Sequence, residues 1–205
     1  MTSGQTPFYL VDTITFAFPN CRPLFSDFSL QVSVGECVGL TGRSGRGKST
    51  LAQIMAGHLR PLSGEVFLSG RQITGNPGRD VFLVHQESDL FPWLTVQKQI
   101  AQALCPLDLE RLNYLLKMTK LESCRDFFPH QLSSGMRKRL SIARALAVNP
   151  KLLIFDESFS SLDHELRQEV FADLRTIWQA TNMTMVLISH DRQDIASMAQ
   201  REIRI

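Results

Sequence analysis

The chain has 205 residues, 43% of them hydrophobic and 20% charged, with a formal net charge of +2. That length suits one domain with room for an inserted lobe, and the composition is that of an ordinary globular protein. The charge is too mild to point to nucleic acid, which asks for a concentrated basic face, and no apolar run approaches the roughly 18 residues of a membrane span.

The first residues lack a basic start followed by an apolar stretch, so they do not read as a secretory signal. A protein kept in the cytosol that acts at a membrane has to dock onto another chain. Cys21, Cys37, Cys105 and Cys124 are widely spaced and form no CxxC pair, which suggests reduced structural thiols rather than a zinc site or a disulfide framework.

Residues 8–34 predict antiparallel strands, with Leu30, Val32 and Val34 alternating against Gln31 and Ser33. A buried strand is expected at Cys37–Thr41, then a glycine-rich loop from Gly42 to Gly47. A helix follows from Lys48 to about His58, with Leu51, Ile54, Met55 and His58 on one face and Arg60-Pro61 as its end. Glu65–Leu68 and Val81–His85 read as further strands. From Asp89 to Val148 helical patterns dominate, including Leu109–Leu121 with Leu112, Leu115 and Leu116 inward, and a helix from about Met136 that stops at Asn149-Pro150. Leu152–Phe155 returns as a buried strand, a helix covers 165–179, Met183–Ser189 is a last buried strand, and a short helix and strand close the chain. This predicts an α/β core over 1–86 and 147–205 that carries an N-terminal antiparallel β-subdomain, with a helical subdomain over 87–146.

The run from Gly42 to Ser49 has the form GxxxxGK followed by Ser, and it sits between a strand and a helix. Glycines let backbone amides turn inward with no Cβ in the way, and the positive helix end favours phosphate oxygens. Lys48 is expected to reach the outer phosphates and Ser49 to hold Mg²⁺. The motif by itself does not separate a transporter ATPase from a kinase or a GTPase.

Four predicted strands end at polar or glycine-rich sites: Thr41-Gly42, Gln86, Asp156-Glu157 and His190. Ligands of parallel α/β sheets bind outside the carboxyl ends of strands, so these sites are expected to converge on a nucleotide. Asp156 is then a magnesium ligand and Glu157 a general base that polarises the attacking water. Gln86 reaches metal and water, and His190 positions the γ-phosphate and the base, because phosphoryl transfer depends mainly on placement and charge stabilisation. Leu132-Ser133-Ser134-Gly135-Met136 opens a second helix with small residues, which leaves its amides free for an anion or makes it an ordinary serine-capped start.

Together these residues resemble an ABC ATPase, over nearly the whole chain. The Gly42–Ser49 loop is similar to Walker A, Leu152–Glu157 to Walker B and Leu132–Met136 to the LSGGQ signature. Gln86 matches the Q-loop, Ser161-Leu162-Asp163 the D-loop and His190 the H-loop. The resemblance implies a P-loop NTPase (RecA-like) core. It also implies ATP and Mg²⁺ as cofactors, and a head-to-tail dimer in which Ser133, Ser134 and Gly135 of one copy meet the nucleotide of the other. Nucleotide contacts are expected from Gly42, Arg43, Ser44, Gly45, Arg46, Gly47, Lys48, Ser49, Thr50 and Asp163, and magnesium contacts from Ser49, Gln86 and Asp156. An aromatic near the N-terminus stacks on adenine in the family; Phe18 is the best match, with Phe16 and Tyr9 as alternatives and a plain core role for Phe18 also open.

Three positions depart from the pattern: Ser134 replaces the first signature glycine, Met136 replaces glutamine, and Ser158 stands where proline usually follows the Asp-Glu pair. Phe91–Val96 and His130-Gln131-Leu132 resemble importer subunits of the nitrate, sulfonate and taurine type, in which the region after the Q-loop docks a transmembrane permease subunit. The resemblance therefore implies an ATP-hydrolysing subunit at the cytoplasmic face of the inner membrane, paired with itself or another ABC subunit, without nucleic acid. The alternatives are a soluble ABC-type ATPase and a weakly hydrolysing regulator.

Overall fold

The computed structural model describes residues 7–43, 45–85 and 90–205. Its first sheet is antiparallel and begins with β1 (Tyr9–Phe16) and β2 (Phe25–Val32). In β1 the buried side chains are Tyr9, Val11, Ile14 and Phe16. The parity changes between Val11 and Ile14, where the pairing register shifts and Thr13 takes φ 44°. This extra residue is a bulge that returns Ile14 and Phe16 to the core face.

β3 (Cys37–Thr41) leads to α1 (Lys48–Met55), and β4 (Ser63–Leu68) and β5 (Arg71–Gln72) complete the antiparallel sheet in the order β2-β1-β4-β5. β6 (Val81–Val84) is followed by three helices that pack on one another, α2 (Val96–Ala103), α3 (Leu109–Met118) and α4 (Ser134–Val148). Then come β7 (Leu152–Asp156), α5 (His164–Thr181), β8 (Thr184–Ser189), α6 (Arg192–Met198) and β9 (Arg201–Arg204).

The second sheet is parallel, ordered β6-β7-β8-β3-β9. β3, β6, β7 and β8 are apolar on both faces because both are covered, whereas the edge strand β9 is polar and largely exposed. Leu40, Leu152, Ile154, Val186 and Ile188 pack with α1 and the antiparallel sheet. Leu153, Phe155, Met185 and Leu187 pack with the helices on the other side. Tyr9, fully buried, donates its hydroxyl to Met55 O at 2.6 Å and so ties β1 to the end of α1. Among the described residues no helix is long and apolar enough to cross a membrane.

Two expected inward residues are outside. His58 is exposed because α1 stops earlier than its periodicity suggests: Gly57 takes φ 77°, His58 N–H bonds Gln53 O and Gly57 N–H bonds Ile54 O, a Schellman end. Val34 is 67% exposed because β2 ends at Val32 and a turn with Gly35 at φ 73° follows. In both places a turn built on a neighbouring glycine, Gly57 or Gly35, takes the residue out of the regular element.

Candidate functional site

All five strands of the larger sheet run the same way, and the registers Thr41↔Ser189, Phe155↔Leu187 and Val84↔Phe155 align their carboxyl ends. The β3–α1 turn, Asp156, Glu157 and His190 therefore meet at one edge. Gln86 and Ser44, both expected there, lie outside the described residues.

The turn into α1 uses glycine where the backbone requires it. Gly45 and Gly47 have φ 79° and 84°, and a Cβ on Gly47 would stand 2.9 Å from the ring of Phe25. Among the described residues no side chain caps α1, so its first-turn amides are open to a ligand. Lys48, the first helical residue, is buried. Its Nζ donates to Gly42 O at 3.0 Å and Arg43 O at 3.3 Å, and pairs with Glu157 Oε1 at 3.0 Å.

Glu157 follows β7 in the left-handed region, φ 48°, a conformation that costs about 1–3 kcal/mol for a residue with a side chain. This turn separates two neighbouring carboxylates. Asp156 stays in the sheet and is buried, while Glu157 swings to Lys48 and to His190, whose Nδ1 lies 2.5 Å from Glu157 Oε2. Burial by itself would raise the Glu157 carboxyl. The hydrogen bonds from His190 and Lys48, with their charges, outweigh it and hold the group below its usual value.

Asp156 goes the other way. Burial raises its carboxyl, the neighbouring Glu157 charge adds to the rise, and a hydrogen bond from the Ser49 hydroxyl opposes it. Its Oδ1 is buried with no hydrogen-bond partner among the described residues. A carboxylate oxygen in this state, beside a serine hydroxyl, suits a hard oxygen-seeking cation such as Mg²⁺. A carboxyl raised in the fold weakens the free chain at pH values above its pKa, and the cost disappears as acid protonates it. Asp156→Asn is therefore expected to raise the melting temperature of the ligand-free chain at neutral pH by a few degrees, with the gain shrinking in acid. A lower melting temperature at pH 7 would contradict the strained-carboxylate account.

A cavity of about 520 Å³ opens at this edge, lined by Phe18, Leu24, Gly45, Gly47, Lys48, Ser49, Thr50, Glu157, Ser160 and His190. Its size is that of a nucleotide-scale pocket. Of the three candidate aromatics, Phe18 borders the cavity and is 47% exposed, edge-on to Phe16 at 5.1 Å. Tyr9 and Phe16 are core residues. Arg43 and Arg46 lie exposed on the loop, and Gly42 is partly covered.

Ser133, Ser134, Gly135 and Asp163 do not line this cavity. Ser133 caps α4 through Met136 N–H, and Asp163 caps α5 through Leu166 N–H. Ser134 is exposed, and Gly135 packs so closely that a Cβ would meet Leu166 Cδ1 at 2.6 Å.

Ser158 is a departure from the family pattern with a structural role. It is fully buried, and its hydroxyl donates to Val84 O at 2.6 Å, which fastens the Glu157 turn to the end of β6. The partner is 74 residues away, so no local pattern announces the bond. Gln99 is equally hidden: its amide accepts from Phe91 N–H and donates to Phe91 O and Leu94 O. This fixes the 91–94 turn and leaves Trp93 70% exposed, beside Phe91 at 5.6 Å between ring centroids. Arg144 of α4 lies over the Phe91 ring at 4.7 Å.

The family model "ABC transporter" matches residues 25–160, which hold the phosphate loop, the α4 start and the Asp156-Glu157 turn. The chain belongs to the ABC transporter family. It is similar to a probable sulfate/thiosulfate import ATP-binding protein, CysA, of Chlorella vulgaris, 37% identical over 199 residues, 93% of this chain and 84% of that one. It is also 37% identical over 187 residues to the nitrate import ATP-binding protein NrtC of Synechococcus elongatus, covering 87% of this chain but only 28% of that longer protein. Among solved structures, a dimeric ATP-binding cassette described in a post-hydrolysis state bound to ADP and Pi superposes with a TM-score of 0.82 at 26% identity, over 96% of this chain and 94% of that one. The two sheets and the helices described above are thus those of an ABC ATPase, and the chain is an ATP-binding subunit of that family.

Proposed function

We propose that this chain binds ATP with Mg²⁺ in the cavity at the sheet edge, hydrolyses it in a closed pair of subunits, and drives import through a separate membrane subunit. The observation that carries the reading is the Glu157 carboxylate, held in its ionised form between Lys48 and His190 at the mouth of an uncapped phosphate loop.

In the free chain Lys48 Nζ already has three acceptors. A phosphate arriving at the α1 amides competes with Glu157 for that ammonium. Its binding releases Glu157 Oε1 while His190 keeps Oε2, and the freed oxygen is then placed to accept a proton from water. Ser49 and Asp156 are the side chains that fit Mg²⁺, which when bound neutralises phosphate charge; Gln86 is the third ligand in this reading. Phe18 offers a ring face for adenine.

Ser133 satisfies one amide of the α4 start with its side chain, and the exposed end can present the rest to the γ-phosphate held by a partner copy. Asp163 stands at the corresponding end of α5. Trp93, exposed on a turn locked by Gln99, is a hydrophobic anchor of the kind that interfaces use, and we assign Phe91–Val96 to the permease. The importing relatives support the direction of transport and a peripheral place at the cytoplasmic membrane face. Mg²⁺-dependent phosphate release by the purified chain, with its mass measured by light scattering with and without ATP, tests the reading. A chain that neither hydrolyses nor binds millimolar ATP excludes it.

A further inference from the structure

One guanidinium spans the two loops that carry Glu157 and His190. Arg167, on the second turn of α5, is mostly covered. Its Nη2 donates to Leu162 O at 3.0 Å and Ser160 O at 3.4 Å, both in the segment that runs from Glu157 into α5. Its Nη1 donates to Asp191 Oδ2 at 3.2 Å and lies 3.7 Å from Asp194 Oδ1, both just past His190. That second segment is braced from within: Ser189 Oγ donates to Asp194 Oδ2 at 2.8 Å and accepts from Asp191 N–H at 3.0 Å. His190 therefore sits between two residues whose side chains belong to one network. Glu157 is joined to the opposite side of that network through the backbone, and Ser160 Oγ donates back to Glu157 O at 2.9 Å.

We propose that Arg167 is a positioning residue for hydrolysis, which holds the 157–163 segment against the 189–194 segment and so sets the Glu157–His190 contact. The inference rests on the function proposed above. Its physical basis is the shape of the guanidinium: a planar fork reaches backbone carbonyls on one side and carboxylates on the other at once. A lysine keeps the charge but concentrates its donors at one point, so it can serve one loop or the other. Without the fork, two carbonyls and two carboxylates lose a shared donor and the loops can move independently. Displacements of about an ångström at a reacting centre cost on the order of 100-fold in rate. Arg167 does not line the phosphate-loop cavity, so nucleotide affinity has no reason to change with it.

The test uses the full chain with Arg167→Ala, Arg167→Lys, Asp191→Asn and the Arg167→Ala/Asp191→Asn double variant. Steady-state ATP hydrolysis is read beside the Kd of a fluorescent ATP analogue and amide hydrogen exchange in 157–163 and 189–194. The expected result is a kcat lower by roughly 10- to 100-fold in Arg167→Ala, partial recovery in Arg167→Lys, a Kd within twofold of wild type and faster exchange in both segments. Asp191→Asn should cost far less when added to Arg167→Ala than by itself, because the two act through one contact. Unchanged kcat in Arg167→Lys and Asp191→Asn overturns the proposal even if Arg167→Ala fails to fold. A parallel fall of kcat, affinity and melting temperature in every variant also overturns it, in favour of a merely structural arginine. Absence of hydrolysis in the wild-type chain sinks the proposed function itself, and this failure is visible before any substitution is made.

Discussion

Glu157→Gln is expected to bind ATP and stop there, accumulating a nucleotide-bound pair of subunits. Glutamine has nearly the same shape, so the left-handed turn at 157 and the bond from its N–H to Ile188 O can survive. What it lacks is a basic oxygen. Loss of a positioned general base costs on the order of 10²–10⁴-fold in rate, and the expected readout is a fall of that size in phosphate release with nucleotide affinity retained or improved. Affinity has reason to improve, because Lys48 no longer has a carboxylate competing with the incoming phosphate. A variant that turned over at the wild-type rate would remove Glu157 from the chemistry.

The same substitution has a stability signature. The folded Glu157 carboxyl lies below its usual value, through the His190 and Lys48 contacts that overcome burial. A carboxyl depressed in the fold contributes stability above its unfolded pKa, near 4.3, and loses it as pH falls through the folded pKa. The melting-temperature gap between wild type and Glu157→Gln, measured without nucleotide, should therefore be widest at neutral pH and close in acid. Asp156→Asn has the opposite sign, since that carboxyl is raised. Two adjacent residues thus give opposite pH responses, an outcome that a generic acidic strand end exposed to water would not produce.

Much of the parallel sheet was readable because it is covered on both faces. Leu152–Phe155 and Thr184–Ile188 are unbroken buried runs, and each ends where the polarity changes. The phosphate loop was readable for a related reason: positive φ at Gly45 and Gly47 demands glycine, so the backbone requirement is written in the residue type. The antiparallel sheet was less legible. Choosing among Tyr9, Phe16 and Phe18 depends on the parity change at Thr13, a register irregularity created by pairing with β2 and β4. His58 and Val34 were misplaced because hydrophobic period was weighed above the glycine one residue before or after. Ser158, Gln99 and Arg167 do not stand out in the sequence for another reason. Each is a polar residue whose meaning is the group it bonds, and for Ser158 that group is a backbone carbonyl 74 residues away, for Arg167 a carboxylate 24 residues away. Ser133 and Asp163 differ in having local partners: in the single chain the Ser133 hydroxyl and Asp163 Oδ1 each accept an amide of their own helix, and the nucleotide contact expected of them is one with a second copy.

Lys48→Ala is the second large expected effect, and it separates binding from chemistry in the direction opposite to Glu157→Gln. Charge-assisted hydrogen bonds contribute about 1.5–3 kcal/mol, so removing the ammonium should weaken ATP binding by roughly 10- to 100-fold. The net loss is smaller than the gross strength of a phosphate–ammonium contact, because in the free chain Lys48 is already paired with Glu157 and two carbonyls that have to be partly given up. That competition makes the loss sensitive to the second residue. In a Glu157→Gln background the free-state competitor is gone, so the same Lys48→Ala change should cost more affinity than it does in the wild type. Calorimetric or fluorescence titration of the four chains gives the coupling directly. Equal losses in both backgrounds would mean that the Lys48–Glu157 pair does not oppose nucleotide entry, and the release of Glu157 on phosphate binding would have to be abandoned as the step that arms the base.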